Sequence, residues 1–119
     1  MSEVIRVLVA DDHLIIRQVL RLILETEAGF ALVGEASDGA EAVRLAAELR
    51  PDVILMDLRM PRMDGLEAIR QILSSQPGSA VVILTTFNED DLMLQGLRAG
   101  AKGYLLKDTD RQTLFAGIR

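Results

Sequence analysis

Polar side chains with distinct chemistry stand directly after four of the short apolar runs in this chain. Asp11 and Asp12 follow the first run, Asp57 follows the third, and Thr85 and Lys107 follow the fourth and the fifth. Carboxylates bind cations, whereas an ammonium and a hydroxyl donate to anions. If folding brings these groups together, one site can hold a cation and an anion side by side.

Three carboxylates in one crevice raise one another's pKa unless a cation neutralises them. Oxygen ligands without Cys or His favour a hard divalent ion, and Mg²⁺, which retains water and phosphate oxygens, fits better than a fully protein-ligated Ca²⁺. A carboxylate beside that ion can attack a phosphoryl group, because the metal and a nearby ammonium offset the charge on the transferred group. The product would be an acyl phosphate.

The apolar runs that precede these residues predict the strands of a sheet. They are brief and rich in Val, Ile and Leu, and the central three lack polar alternation, which is typical of parallel strands covered on both faces. The five runs are Ile5 to Ala10, Phe30 to Val33, Val53 to Met56, Ala80 to Leu84 and Gly103 to Leu106.

Segments of helical periodicity separate the runs. The first helix is predicted over about 14–27, with Arg17 and Arg21 pointing away from a buried stripe of Ile16, Val19, Leu20 and Ile23. The second is predicted to start at Asp38 or Gly39, because Asp is a favoured N-cap, and to end before Pro51. Its expected buried residues are Ala40, Val43 and Ala47.

Three further helices complete the pattern. The third follows Asp64 and Gly65 and ends in the turn cluster at 74–78. The fourth covers about 89–99 and closes at Gly100, which suits a C-terminal residue with positive φ. The fifth starts near Asp110.

Five βα units in one chain of 119 residues predict an α/β fold with right-handed crossovers. We expect one domain, a five-stranded parallel sheet of flavodoxin-like order 2-1-3-4-5, with helices on both faces. Functional groups of such sheets lie at the carboxyl ends of the strands. The residues named above occupy those ends.

Composition excludes several classes of protein. A formal charge of −5 argues against a grip on nucleic acid phosphates, and the absence of Cys excludes disulfides and thiolate metal sites. The segment from Met1 to Arg6 resembles neither a signal peptide nor a membrane anchor. We therefore expect a cytoplasmic protein that contacts neither membrane nor nucleic acid through this domain.

Four motifs in order resemble the receiver domain of bacterial two-component response regulators. They are Asp11-Asp12, the segment MDLRMPRMDG at 56–65, Leu84-Thr85-Thr86, and the segment AGAKGYLLKD at 99–108. The resemblance covers essentially all of residues 1–119, and motifs at the ends of four strands make it highly specific.

The resemblance implies that Asp57 accepts a phosphoryl group from a phosphohistidine on a sensor kinase. Asp12, Asp57 and the backbone carbonyl of Arg59 would coordinate Mg²⁺, and Asp11 would act largely through water. Such a domain is a phosphoacceptor that assists its own phosphorylation and dephosphorylation, and it is not classed as an enzyme.

The resemblance also implies a conformational switch. Lys107 would pair with the phosphoryl charge, and the Thr85 hydroxyl would donate to a phosphoryl oxygen. Tyr104, the only tyrosine, would then turn inward to fill the space that Thr85 vacates. Phosphorylation would shift a two-state equilibrium that the free chain already samples.

The segments Asp11-Asp12-His13, Thr85-Thr86-Phe87 and 103–108 are similar to regulators of the nitrate/nitrite (NarL) and LuxR-type group. In that group a helix-turn-helix DNA-binding domain follows the receiver, so we expect a receiver domain truncated before such a domain. The expected partners are a sensor histidine kinase, the chain's own DNA-binding domain and, on phosphorylation, a second copy of the chain.

Two alternatives remain open from the sequence. One is a Mg²⁺-dependent phosphohydrolase with an aspartyl nucleophile, which usually needs a second carboxylate where this chain has Arg59. The other is a receiver-like module that binds partners without phosphorylation. His13 is interpreted as a residue that caps or covers the first helix.

Overall fold

The computed structural model describes residues 4–86, 90–107 and 109–118. Strands and helices alternate along the chain. The strands are β1 (Ile5–Ala10), β2 (Phe30–Ala36), β3 (Val53–Asp57), β4 (Ala80–Thr85) and β5 (Gly103–Leu106). The helices are α1 (Leu14–Glu25), α2 (Gly39–Leu49), α3 (Gly65–Ser75), α4 (Asp90–Arg98) and α5 (Arg111–Ile118).

The strands form one parallel sheet in the order β2-β1-β3-β4-β5, which confirms the predicted topology. Chain direction therefore brings all five strand ends to the same edge. The register places Ala10 beside Met56 and Asp57 beside Leu84. Thr85 pairs with Leu106 on the outer strand β5.

Alternate residues of the strands pack into two hydrophobic cores, one on each face of the sheet. Leu8, Ile54 and Ile83 join a cluster that contains α2 and α3 residues. Val7 and Leu55 join a second cluster that includes Phe115 of α5, whose ring stacks on Phe30 with centroids 5.0 Å apart. Burial on both faces explains why the central strands carry no polar alternation.

The predicted helix boundaries have local causes that the structure shows. Asp38 and Asp64 each accept a hydrogen bond from the backbone N–H three residues later, at 2.8 and 2.9 Å, and so cap α2 and α3. Arg50 leaves the right-handed helix with φ 48°, directly before Pro51. Gly100 adopts φ 122° after α4, as predicted.

The predicted buried face of α2 and the predicted end of β2 were wrong. The buried residues of α2 are Gly39, Ala42 and Ala46; of the predicted set, Val43 is partly buried against the core, whereas Ala40 and Ala47 are exposed. Both sets have the same helical spacing in an alanine-rich segment, and docking of the helix start against the 58–64 loop selects between them. Strand β2 also continues to Ala36, because it stays paired with β1 to Ala10.

Arg17 does not point away from the core. Its guanidinium donates to the backbone carbonyl of Asp11 at 2.6 Å and lies 3.4 Å from a carboxylate oxygen of Glu35. Val19, predicted to be buried, is 46% exposed, while Leu20 and Leu24 hold α1 to the sheet. The buried face of α1 is thus rotated slightly about the helix axis from the predicted one.

The predicted start of the fourth helix at Glu89 lies outside the described residues, as do Phe87 and Asp108 of the motifs. Among the residues that the structure describes, no helix has the length and apolar character needed to cross a membrane.

Candidate metal centre

Three carboxylates meet where β1 and β3 end. The two strands are neighbours in the sheet, so Asp11 after β1 and Asp57 at the end of β3 emerge side by side. One ligand atom from each of Asp11, Asp12, His13 and Asp57 lies within 4.8 Å of the others. The predicted convergence of the aspartates is thus present in the fold.

The carboxylates differ in exposure. Asp11 is fully buried and Asp57 is 3% exposed, whereas a third of the Asp12 side chain faces solvent. Asp57 Oδ1 accepts a hydrogen bond of 3.3 Å from the backbone N–H of Arg59. The site therefore has a buried floor and an open mouth on the side of Asp12.

The Lys107 side chain lies at the buried end of the site. Its Nζ lies 2.9 Å from Asp11 Oδ2 and 3.2 Å from Asp57 Oδ2, and only 11% of the side chain is exposed. Its backbone N–H donates to the carbonyl of Thr85 at 2.9 Å, which fixes the end of β5 beside β4. One ammonium thus contacts two buried carboxylates.

The charges of the site make ionisation of Asp57 costly. Burial, together with the charge of Asp11, raises the pKa of the Asp57 carboxyl to about 6 from an ordinary 3.8 and outweighs the opposing effect of Lys107. Burial lowers the pKa of Lys107, but Asp11 and Asp57 together outweigh burial and raise it above its ordinary 10.5. The shift of Asp57 comes chiefly from burial, whereas the shift of Lys107 reports the negative charge of the two carboxylates beside it.

A divalent cation fits the negative charge of the site. Three carboxylates and one ammonium leave a charge of −2 at the site, which a single divalent ion offsets. The Oδ2 atoms of Asp11 and Asp57 are buried, and both lie against the single ammonium of Lys107. Carboxylate oxygens with room for water are the ligands that Mg²⁺ prefers.

Two other predicted residues lie on β4 and β5, and of these Thr85 is on the strand next to Asp57. Thr85 is 3% exposed at the end of β4, one position beyond the register partner of Asp57, and its hydroxyl donates to the carbonyl of Thr86 at 3.1 Å. Tyr104 of β5 pairs with Ile83 of β4, and its side chain is half exposed. The tyrosine ring therefore faces solvent in this arrangement.

The loop after Asp57 is held by close backbone packing. A Cβ at Gly65 would lie 2.1 Å from the carbonyl oxygen of Asp57, so only glycine fits there without movement. Arg62 has φ 65°, and its guanidinium binds Asp38 at 2.7 and 2.8 Å. These contacts position the segment that carries the Arg59 backbone.

The contacts of the His13 side chain were not predicted. The residue precedes α1 at the N-cap position, but its side chain makes no capping hydrogen bond. Its Nδ1 instead lies 2.9 Å from Asp11 Oδ1 and 3.2 Å from Asp12 Oδ1. The available signal was its place directly after two aspartates at a strand end, and the imidazole therefore lies beside the carboxylates.

Comparisons with known proteins give a consistent result. The family described as "Response regulator receiver domain" matches residues 7–119. The chain is 56% identical to the transcriptional regulatory protein YdfI of Bacillus subtilis over 92% of this chain and 51% of that protein. It is 47% identical to LiaR of the same organism over 97% of this chain and 54% of that protein.

Solved structures agree with the sequence relatives. The signal receiver domain of the putative response regulator NarL from Mycobacterium tuberculosis superposes with a TM-score of 0.89, at 35% identity, over 98% of both chains. The present chain spans about half the length of the curated relatives it matches.

Proposed function

The chain belongs to the response regulator receiver domain family, and on that premise we propose that Asp57 accepts a phosphoryl group in a Mg²⁺-dependent reaction. The observation that carries the proposal is the meeting of Asp11, Asp12, Asp57 and Lys107 from three strand ends within contact distance. This arrangement is suited to a dianionic group next to a divalent ion.

The proposed reaction is an in-line transfer from a phosphohistidine of a sensor kinase. A carboxylate oxygen of Asp57 forms the new O–P bond while the P–N bond to the donor imidazole breaks, and the donor nitrogen keeps the electron pair. Lys107 stays beside the transferred group and offsets its charge.

The proposed cation site consists of Asp12, Asp57 and the backbone carbonyl of Arg59, with Asp11 acting through water. Bound Mg²⁺ supplies charge neutralisation for the oxygens of the transferred group. The packing of Gly65 against the Asp57 carbonyl and the Arg62–Asp38 ion pair support this assignment, because they fix the loop that presents Arg59.

The proposed switch uses two residues on β4 and β5. The Thr85 hydroxyl leaves the Thr86 carbonyl and donates to a phosphoryl oxygen, and Tyr104 then turns inward from its half-exposed position. The new charge at Asp57 biases a two-state equilibrium, and the altered surface of α4 and β5 carries the signal.

The proposed partners follow from the family and from the names of the relatives. A sensor histidine kinase supplies the phosphoryl group, and a helix-turn-helix DNA-binding domain beyond this chain receives the signal and regulates transcription. Phosphorylation also favours a homodimer, and the protein acts in the cytoplasm. The curated relatives named as transcriptional regulators are about twice as long as this chain, which leaves room for such a domain.

The phosphohydrolase alternative is less well supported. It requires a general acid two residues after the nucleophile, and the residue there is Arg59, whose backbone N–H donates to Asp57. A module that binds partners without phosphorylation is disfavoured because the three carboxylates gather within 4.8 Å of one another and Lys107 contacts Asp11 and Asp57. Turnover of an added phosphomonoester would indicate the hydrolase instead.

The test is labelling with acetyl phosphate, followed by intact-protein mass spectrometry. We expect one added phosphoryl group in the presence of Mg²⁺ and none after chelation or in Asp57→Asn. Asp91→Asn, an exposed residue of α4, is the matched control and should label like the original chain. Labelling that survives both chelation and Asp57→Asn would refute the proposal.

A further inference from the structure

We propose that His13 is a nitrogen ligand of the cation at this site and makes the site selective for first-row transition metal ions over Mg²⁺. The inference rests on the proposed cation site and adds a ligand to it. It concerns which divalent ion the pocket holds most tightly.

The geometry places the imidazole within reach of the ion. A ring nitrogen of His13 lies within 4.8 Å of the nearest carboxylate oxygens of Asp11, Asp12 and Asp57, so an ion held by Asp12 and Asp57 is also within reach of the imidazole. Nδ1 is the nitrogen closest to the carboxylates, at 2.9 Å from Asp11 Oδ1 and 3.2 Å from Asp12 Oδ1.

The backbone holds the ring at this place. The N–H of His13 donates to Asp11 Oδ1 at 2.8 Å, and the residue adopts extended φ and ψ of −92° and 110° before α1 begins. This turn directs the residue back over the aspartates. Because the side chain is not used for capping and is 62% exposed, Nδ1 can exchange its carboxylate contact for a metal bond without disturbing the core.

The charge of the site is compatible with this ligand. Neutral imidazole adds no charge, so one divalent ion still offsets the −2 left by three carboxylates and Lys107. The buried Oδ2 atoms of Asp11 and Asp57, which contact Lys107, complete the polar floor. The site therefore offers mixed nitrogen and oxygen donors.

Mixed donors change the preference among ions. Mg²⁺ binds oxygen ligands almost exclusively, whereas imidazole suits Co²⁺, Ni²⁺, Cu²⁺ and Zn²⁺. Loss of the nitrogen donor should therefore weaken Co²⁺ binding and leave Mg²⁺ binding nearly unchanged. The opposite role, in which His13 competes with the ion for Asp11 Oδ1, predicts tighter Mg²⁺ binding once the imidazole is removed.

The experiment is calorimetric titration of the chain with Mg²⁺ and separately with Co²⁺, in the original protein and in His13→Asn. Asparagine is a good N-cap residue, so the start of α1 is preserved, and circular dichroism verifies folding. We expect Co²⁺ affinity to fall about tenfold or more and Mg²⁺ affinity to change less than about twofold. The visible absorption of bound Co²⁺ should also shift, since it reports nitrogen coordination directly.

The controls separate this inference from the proposed function. Asp91→Asn should leave both affinities unchanged. If the original chain binds neither ion, the proposed Mg²⁺-dependent function fails. If it binds both ions, three results for His13→Asn refute the role of His13 as a ligand while the proposed function stands. They are an unaltered Co²⁺ affinity and absorption, an equal loss of affinity for both ions, and a higher affinity for Mg²⁺.

Discussion

Replacing Asp57 by Asn should stabilise the metal-free protein at neutral pH. In the original chain, folding places the Asp57 carboxylate next to buried Asp11, and burial with this repulsion raises its pKa to about 6. Asparagine is nearly isosteric and uncharged, so it removes the surplus charge and leaves the Asp11–Lys107 pair in place. Asp57 thus lowers the free energy of unfolding of the metal-free protein.

The magnitude follows from the pKa. Moving a carboxyl pKa from 3.8 to about 6 costs up to about 3 kcal/mol of folding free energy once the group is ionised in both states. Because the mouth of the site is open to solvent at Asp12, screening reduces this, and we expect about 1–3 kcal/mol. For a chain of this size that is a rise of roughly 3–12 °C in Tm.

The pH dependence has a definite sign. A folded-state pKa above the unfolded value favours folding while the carboxyl is protonated, and this contribution is present in full below about pH 4. It is lost as the pH rises through about 6, where the folded carboxyl ionises. The advantage of Asp57→Asn should therefore be small near pH 4 and largest above pH 7.

Urea denaturation of both proteins at acidic and at slightly basic pH, in chelator, measures this difference. Adding Mg²⁺ should stabilise the original chain by about 2–3 kcal/mol at a hundredfold excess over its dissociation constant, and should stabilise Asp57→Asn much less. A stability difference that is the same at both pH values would refute the argument, because it would show that Asp57 ionisation is not the cause.

Three further substitutions test the packing that holds the site, each by urea denaturation. Gly65→Ala should lower the free energy of unfolding by about 1–3 kcal/mol, because the added Cβ would lie 2.1 Å from the Asp57 carbonyl oxygen; an unchanged midpoint would show that the loop yields freely. Asp38→Ala should lower the free energy of unfolding by about 1–2 kcal/mol, because it removes the N-cap of α2 and the ion pair with Arg62. High salt should reduce this difference only by the contribution of the ion pair. Phe115→Ala should cost about 3–5 kcal/mol, since the ring is 5% exposed and stacked in the second core; a cost below about 1 kcal/mol would contradict that packing.

The topology could be predicted because its causes are local in the sequence. Short apolar runs without alternation indicated buried parallel strands, and Asp38, Asp64, Pro51 and Gly100 marked helix ends through capping and backbone sterics. Chain direction then required the polar residues after each run to share one edge of the sheet. The proximity of Asp11, Asp57 and Lys107 follows from that geometry.

Side-chain orientation depended on contacts between distant segments. The buried face of α2 could not be predicted from the sequence, because two sets of small apolar residues, offset by one position, have the same helical spacing. The close packing of Gly39 against the Met63 carbonyl determines which set is buried. Arg17 has a long flexible side chain whose direction is decided by Glu35 on another element.

By itself the sequence determined the order of elements, the edge of the sheet where the chemistry lies and the residue types gathered there. Only the tertiary structure decided that Lys107 contacts Asp11 and Asp57, and that the pKa of Asp57 rises. The physical reason is that periodicity and capping act over a few neighbouring residues. Burial and charge depend on which distant residues meet when the sheet assembles.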